Sequence, residues 1–539
     1  MIYAPETPAI GREFSYPLLR AVSRLPDDEL QASLTRLVAS ELVFQRGTPP
    51  DAIYNFKHAL VQDAAHGSLL RSSRQQLHAH IAEALETHFP GVMDSEPELL
   101  AQHYAEAGMV EKSVACWGRA GRRSVARSAM AEAAAQFQKE LDQLALLPNS
   151  RERQRQELES SSALGAVFVA VKGHSAPQTG DAYARARELW ERLDSPSEFL
   201  RVPHGQSLHH VHRGELDLAQ RVDEDLLRLS AQRDDSAGLV LGHYSSGRTL
   251  FYAGRFASSR SHLEEALTLY DPISHRSLVY QIGLCPQAIS QGYLGNALFC
   301  LGFPDQGLAW SRRAVGQARG LAHPPSVASS LAVDALLLAA AEDNPALKES
   351  SDQLVAVTTE QGFVFWRAAG TIYRGWVKVK NGDVVDGMSL LRSGLSAYRT
   401  TGAELLLPNY IAFLARACAI AGQVEEALAL LDDALQMVER TRARWFAAEL
   451  YRHKGQLLLR QGHSEAAEEL YRKALSVAAE QEAKLWELRA SMSLARLRRD
   501  QGCFAEGRDL LAPVYGWFTE GFDTPDLKDA KTLLDELNA

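Results

Sequence analysis

The chain has few cysteines, no long apolar run and no excess of basic residues. Its five cysteines include no CxxC pair. This excludes a disulfide-rich scaffold and a four-cysteine zinc site, and it suits a reducing compartment. No apolar stretch reaches the roughly 18 residues that a membrane-spanning helix needs. The N-terminus lacks the basic and apolar regions of a secretory signal. We therefore expect a cytoplasmic protein that has no contact with a membrane.

The charge balance and the catalytic motifs that are missing narrow the functional classes further. The 539 residues include 57 Lys and Arg against 67 Asp and Glu, so the net charge of −10 disfavours a nucleic-acid-binding surface over the whole chain. The sequence has no GxxxxGK[ST] phosphate loop, no HExxH metal motif and no GxSxG nucleophile elbow. We therefore expect no enzyme activity, no cofactor and no metal site.

Glycine recurs with a period of 40 residues through much of the chain. The recurring glycines are Gly214, Gly254, Gly302, Gly382, Gly422, Gly462 and Gly502, with a degenerate member expected near Ala341 and one longer step of 48. Seven residues before and five residues after each glycine, every side chain is small. Glycine ends a helix in a left-handed conformation at low cost, and small residues let two antiparallel helices approach closely. The pattern predicts stacked helix pairs, because one pair alone cannot bury its apolar face.

This register of small residues resembles the tetratricopeptide repeat (TPR) family, although its period is longer than the usual 34 or so residues. The resemblance implies an all-α fold, a TPR-like right-handed α-solenoid of about ten helix pairs behind a small winged-helix-like domain. The expected organisation is a leader (1–9), a winged-helix-like adaptor (10–90), irregular helix pairs (91–200), the regular solenoid (201–524) and a closing helix (525–539).

Residues 10–90 differ from the repeats, because short helices and two short strands alternate there around a Gly47-Thr48-Pro49-Pro50 turn. The expected helices are Phe14–Ser23, Asp28–Ala39, His58–Leu70 and Ser73–Leu85, and the expected strands are Leu42–Arg46 and Ile53–Lys57. This order is typical of a winged helix. The second helix would read a DNA groove, but Arg36 is its single base and three acidic residues stand at its start. We therefore disfavour DNA binding.

Six stretches carry a second resemblance. They are 10–14 (IGREF), 56–65 (FKHALVQDAA), 270–272 (YDP), 374–376 (RGW), 401–405 (TGAEL) and 511–524 (LAPVYGWFTEGFDT). They resemble the C-terminal half of bacterial STAND/AAA-type signalling ATPases, some of which also contain a nucleotide cyclase domain. The resemblance implies a non-catalytic sensor or scaffold arm that works with an ATPase or cyclase module, in the same chain or in another. The alternatives are a winged-helix DNA-binding transcriptional regulator, and a nucleotide cyclase or ATPase itself.

Histidines stand close together in two places. The denser cluster consists of His204, His209, His210 and His212. His209 and His212 are three residues apart on a predicted helix and could share a metal ion, but we favour a structural role for them. The other set, near the predicted wing, consists of His58, Asp63 and His66. Its residue types match a catalytic trio, and we expect a structural role here too.

Stacked TPR pairs line a concave groove with the first helix of each pair, and the repeat register assigns side chains to that groove. The predicted partner-binding residues are Tyr244, Arg248, Asn296, Trp376, Asn409, Arg416, Arg452, Gln456, Arg460, Arg489, Arg496 and Arg499. The C-terminal members are basic, and the forked donors of arginine suit carboxylates. We therefore expect a protein or peptide partner with an acidic segment or a carboxylate terminus. The alternative is that these arginines solvate helix faces or pair with glutamates such as Glu449.

Overall fold

The computed structural model describes residues 7–23, 25–58, 62, 67, 69–199 and 201–538. The chain forms two compact units, which divide between Ser160 and Ser161. This division differs from the boundaries at residues 90 and 200 that the sequence suggested. The reason is that one apolar core continues past residue 90, where Leu85 belongs to the same buried cluster as Tyr104 and Trp117.

The first unit contains a small antiparallel sheet and mostly short helices. Its strands are β1 (Glu13–Ser15), β2 (Val43–Arg46) and β3 (Ile53–Phe56), in the order β1-β3-β2. Its helices are α1 (Thr7–Ile10), α2 (Tyr16–Val22), α3 (Asp27–Ala39), α4 (Arg71–His88), α5 (Val92–Ser95), α6 (Pro97–Ala107), α7 (Val110–Ala126), α8 (Met130–Leu144) and the first part of α9 (Arg151–Val171). Phe14 pairs with Tyr54 across the sheet, and both rings are buried.

The predicted elements of this unit are largely present. The two strands around the Pro-rich turn and the helix beginning near Asp28 are confirmed. The first helix begins at Tyr16 rather than Phe14, because residues 13–15 pair with β3 and Ser15 then caps the helix, its Oγ accepting from Leu18 N at 3.3 Å. The predicted helix His58–Leu70 lies largely outside the described residues, as do Asp63 and His66 of the candidate trio.

The second unit consists of stacked helices. They are the end of α9, then α10 (Pro177–Arg192), α11 (Arg201–His212), α12 (Leu216–Gln232), α13 (Ser236–Tyr252), α14 (Phe256–Leu269), α15 (Leu278–Ile282), α16 (Pro286–Leu301), α17 (Pro304–Gly320), α18 (Pro324–Ala340), α19 (Asn344–Gln361), α20 (Val364–Lys380), α21 (Val384–Thr400), α22 (Leu407–Ile420), α23 (Val424–Thr441), α24 (Ala447–Arg460), α25 (Ser464–Glu480), α26 (Lys484–Asp500), α27 (Phe504–Tyr515) and α28 (Pro525–Asn538), with a 3₁₀ turn at Ser197–Phe199. No helix in the described ranges is long and apolar enough to cross a bilayer.

Eight consecutive helix pairs, from α11/α12 to α26/α27, follow the predicted glycine register. The seven marker glycines all have positive φ, between 75° and 94°. The degenerate marker is Glu342, which has a φ of 54° in the corresponding turn. The longer step between Gly254 and Gly302 contains the extra short helix α15. We call the first helix of each pair the inner helix and the second the outer helix.

Small residues allow the close approach within a pair that the register predicts. A Cβ on Gly375 would lie 2.9 Å from the carbonyl oxygen of Gly387, its counterpart on the outer helix. The C-terminal helix α28 follows the last pair and buries Leu527 and Leu533.

Each turn of the superhelix contacts the next turn, which lies about five helix pairs further along the chain. Glu404 N donates to the carbonyl oxygen of His212 at 2.9 Å, and Trp445 N donates to that of Tyr252 at 3.1 Å. The inner helices are therefore covered by the next turn of the same solenoid.

Candidate functional site

The twelve predicted partner-binding residues all lie on inner helices, but most of them are buried. Tyr244, Arg248, Asn296, Trp376 and Asn409 each expose 3% or less of their surface. This differs from the open groove that we expected, because contacts between successive turns cover the inner face. Asn296, for example, donates to two backbone carbonyls inside the stack, at 3.0 and 3.1 Å.

Two of the predicted arginines form a buried ion-pair network with carboxylates. Arg452 donates from Nε and Nη2 to the two oxygens of Glu449, at 2.6 and 2.8 Å. Arg489 donates to the same Glu449 at 3.1 Å and to both oxygens of Asp526 at 2.7 Å. The pairing with Glu449 that we weighed as an alternative is therefore what the structure shows for Arg452. Burial opposes the charge of Glu449, but Arg452 and Arg489 outweigh it and hold its pKa well below the ordinary value.

Glu342 connects the inner helices of two neighbouring repeats. Its oxygens lie 3.0 Å from Arg416 Nη2 and 3.3 Å from Lys380 Nζ. Burial again opposes the charge, but Arg416, Arg489 and Lys380 together hold the pKa of Glu342 well below its ordinary value. Arg416 also lies 4.4 Å over the ring of Trp376. The left-handed backbone of Glu342 costs about 1 kcal/mol, and these ion pairs help to offset it.

The remaining arginines lie nearer to solvent. Arg496 is 3.5 Å from Asp529, with both side chains more than a third exposed. Arg499 pairs with Glu536 and with Asp500. Arg460 is exposed, and within the described ranges no carboxylate pairs with it.

Three of these arginines lie near one buried tyrosine, Tyr471. Burial raises the pKa of Tyr471 to about 12, while the nearby charges of Arg452, Arg460 and Arg496 act in the opposite direction. Gln456 belongs to the same inner helix as Arg460, and its Oε1 lies 3.4 Å from His453 Nδ1. We call the six predicted arginines of the C-terminal inner helices the arginine belt: Arg416, Arg452, Arg460, Arg489, Arg496 and Arg499.

A second feature is a narrow cavity between the inner helices of six successive pairs. Its accessible volume is about 50 Å³, which is room for a few water molecules. We call it the inner cavity; its aromatic wall consists of Tyr244, Tyr252, Tyr293, Phe365, Trp366 and Tyr410, and its aliphatic wall includes Leu208, Ile289 and Leu336. Residues 172–176, which connect α9 to α10, bring His174 to this wall. Its ring stacks on His212 at 3.8 Å.

The four clustered histidines have separate partners. His204 Nδ1 is 2.7 Å from Ser245 Oγ, and His210 Nδ1 is 2.7 Å from Glu215. His209 and His212 instead contact backbone carbonyls, each at 2.9 Å. Burial lowers the pKa of both His204 and His212 to about 3, so both rings are neutral at pH 7. In the part of the chain that the structure describes, no three His, Cys, Asp or Glu residues could hold a metal ion together.

The sequence reasoning named Glu449 as a possible partner, but it missed Glu342, Asp526 and the histidine in the cavity. Glu342 had a signal, because it stands 40 residues after Gly302 and 40 before Gly382, where the register requires a turn. Asp526 and His174 had none, because their partners lie in other helices.

Comparison with known proteins agrees with the helical repeats. Residues 408–480 match the family model of the tetratricopeptide repeat. The chain has a TPR-like solenoid fold. An uncharacterised protein of Rhizobium meliloti is 25% identical over 499 residues, which cover 90% of this chain and 48% of that protein. The chain thus spans about half the length of this curated relative.

Two solved structures of helical proteins show a low similarity to the chain. A Rap protein complexed with competence and sporulation factor has a TM-score of 0.49 at 11% identity, covering 69% of this chain and 99% of that one. Yeast Tom70 has a TM-score of 0.33 at 11% identity, covering 85% of this chain and 95% of that one.

Proposed function

We propose that this chain is a non-catalytic interaction module that binds an acidic protein or peptide segment along the arginine belt. The supporting observation is an excess of positive charge on these inner helices. The cations are Lys380 and the six arginines of the belt, and the carboxylates that pair with them are Glu342, Glu449, Asp500, Asp526, Asp529 and Glu536. Seven cations against six carboxylates leave a charge of +1 in a chain whose net charge is −10.

The belt divides into a fixed and an accessible part. Arg452 and Arg489 are buried and fully paired, so they hold the inner helices together and do not exchange partners readily. Arg460 and Arg496 are accessible, and an acidic segment would bind them first. Their positive field would also attract an acidic partner from a distance, and salt would weaken that attraction.

The test is the affinity for a short poly-glutamate peptide with a free C-terminus, measured by fluorescence anisotropy at low and at physiological salt. The variant is Arg460→Glu/Arg496→Glu, which leaves the buried pairs intact. The matched control is Arg312→Glu/Arg399→Glu, which makes the same charge change on two exposed outer-helix positions. We expect the belt variant to bind roughly tenfold more weakly or worse, a loss of about 1.4 kcal/mol, and the control to bind nearly as the wild type. Equal affinities for the two variants would contradict the proposal.

We further propose that the module is the sensor arm of an ATPase or cyclase system, in the same chain or in trans. Two observations support this: the helix–helix–strand–strand order of residues 16–56, which fits a winged-helix-like adaptor, and a relative of about twice the length. An antibody against the repeats would isolate the native protein from its cells. Nucleotide turnover in the isolate, changed by deletion of residues 201–539, would support the proposal, and an isolate without turnover would contradict it.

A further inference from the structure

A larger cleft lies between two successive turns of the superhelix, apart from the inner cavity. One side consists of α14 and of the turn that follows α16, where Arg260 and Phe303 line the cleft. The other side consists of the turn between α25 and α26 and of Trp517, which follows α27. The cleft has a volume of about 530 Å³, which is in the range of small-molecule sites. We call it the inter-turn cleft.

Two aromatic rings form the floor of the inter-turn cleft, and the surrounding chain holds them in place. The rings of Trp517 and Phe303 meet edge to face, with their centroids 5.5 Å apart. Gly302 permits this approach, because a Cβ there would lie 2.6 Å from the Trp517 ring. The segment after Trp517 is also tied to the earlier turn, since Gln306 donates from its backbone and side-chain nitrogens to Glu520 at 3.0 and 2.9 Å. Trp517 nevertheless remains 39% exposed, so a flat ligand could stack on it.

Two cations and two carboxylates line the cleft around this floor. Lys484 and Glu487 pair with each other at 2.6 Å. Arg260 donates from Nε to Glu264 at 2.8 Å, and among the described residues its two terminal nitrogens have no hydrogen-bond partner. Glu482 is exposed and forms no ion pair within the described ranges. Each side of the cleft therefore presents one charged group that is free to bind a ligand, a guanidinium on one side and a carboxylate on the other.

We propose that the inter-turn cleft binds a free aromatic amino acid. Its ring would stack on Trp517, its carboxylate would accept from the terminal nitrogens of Arg260, and its ammonium group would donate to Glu482. A ligand with a charge of only one sign would leave the free group on one side unpaired. A phosphate is disfavoured because Glu482 and Glu487 would repel it. An interior residue of a peptide lacks both charges, so the free amino acid fits the cleft better than a peptide segment does.

Such a ligand would hold two turns of the superhelix together. Arg260 lies on α14, five helix pairs before the turn that carries Glu482. Because the ligand contacts both residues only when the turns are stacked, its binding would shift the conformational equilibrium toward the closed arrangement. The residues that line the cleft include none of the belt arginines, so this proposal and the proposed function can fail independently.

The test is calorimetric titration of the whole chain with phenylalanine, tyrosine and tryptophan. The analogues of each are the amine without the carboxylate and the acid without the ammonium group, which for phenylalanine are phenethylamine and 3-phenylpropionate. Alanine lacks the aromatic ring. We expect at least one aromatic amino acid to bind and to raise the melting temperature. Its two analogues and alanine should bind about tenfold more weakly or worse, because each loses a charge-assisted hydrogen bond or the stacking contact.

Two variants remove one feature of the cleft each. Glu482→Gln removes the free carboxylate at an exposed position, and Trp517→Leu removes the ring. The matched controls are Glu360→Gln, at an exposed position near the end of the outer helix α19, and Trp310→Leu, which removes a half-buried tryptophan of α17 that has Arg313 over its ring. We expect both cleft variants to bind about tenfold more weakly or worse, and both controls to bind as the wild type does.

Several results would overturn the proposal. They are the absence of binding by all three aromatic amino acids, and wild-type affinity in a Glu482→Gln variant that keeps its helical circular dichroism. Equal affinity for the amines, the acids and the parent amino acids would show that the two free charges take no part. Equal affinity for alanine would show the same of the aromatic floor. If Trp517→Leu fails to fold, Glu482→Gln and the analogues decide the question.

Discussion

Replacing Gly375 by alanine should force the two helices of one repeat apart. Gly375 lies in the middle of α20, where it faces the outer helix α21. A Cβ at this position would lie 2.8 Å from the backbone nitrogen of Leu391 and 2.9 Å from the carbonyl oxygen of Gly387. Both contacts are to backbone atoms, so no side chain can rotate away to make room.

The contact distances give the magnitude of the expected destabilisation. Ordinary contact begins at 3.4 Å, so the helices must separate by 0.5 to 0.6 Å. A gap of that size removes about a quarter of the dispersion energy of the contacts that it affects. Overpacking of a tight site costs up to about 3 kcal/mol, and we take this upper value because both contacts are to backbone atoms. Alanine regains about 1 kcal/mol of helix propensity. The net loss in the free energy of unfolding should therefore be about 2 kcal/mol.

Urea unfolding followed by circular dichroism measures this loss, and Gly316→Ala is the matched control. Gly316 is an exposed glycine inside α17, and a Cβ there would meet nothing within 4 Å. This variant should gain about 0.5–1 kcal/mol from helix propensity alone. A Gly375→Ala variant as stable as Gly316→Ala would refute the reasoning, because the two substitutions differ only in the contacts of the new methyl group.

Three further predictions concern titratable groups. Burial raises the pKa of Glu140 to about 7, so its ionisation costs stability as pH rises from 4.5 to 7. In urea unfolding, Glu140→Gln should raise the free energy of unfolding by about 2–3 kcal/mol at pH 8 and change it little at pH 4. Glu449 is the opposite case, because its lowered pKa contributes stability that is complete above pH 4.5 and is lost as pH falls further. Glu449→Gln should therefore cost about 3 kcal/mol at pH 7 and progressively less in acid. Finally, a thiol reagent should modify Cys503 rapidly in the native protein and the other four cysteines, which are buried, only on unfolding.

The helix pairs could be predicted from the sequence because their determinants are local and repeated. Gly382 and Gly422 end inner helices at the same register, and the small residues around them have one physical role. The same register pointed to a turn near Ala341, and the turn is present at Glu342. The short strand Glu13–Ser15 was missed because three residues are too few to show an alternating pattern.

The filled interior could not be predicted, because it depends on how small rotations between repeats accumulate. Trp445 meets Tyr252 only after five pairs have stacked, and no local pattern encodes that distance. The repeat register predicts which face of a helix a residue lies on, so the groove residues were placed on the correct helices. The register does not predict what covers that face, so their burial was missed. Arg452 and Arg489 were assigned to the groove, with pairing to glutamates such as Glu449 as the alternative, and the structure pairs them with Glu449 and Asp526.

The closed interior is the central claim, and a disulfide between successive turns tests it most directly. A Cβ on Gly402 would lie 3.7 Å from the Cβ of Ser175, close to the mean separation of about 3.8 Å in disulfides. The variant Ser175→Cys/Gly402→Cys should oxidise almost completely while it keeps its helical circular dichroism. The control Ser175→Cys/Gly362→Cys uses the equivalent left-handed glycine one repeat earlier, where nothing lies within 4 Å, and its introduced thiols should stay reduced. Free thiols in the first variant, or equal oxidation in both, would contradict a superhelix that closes on itself.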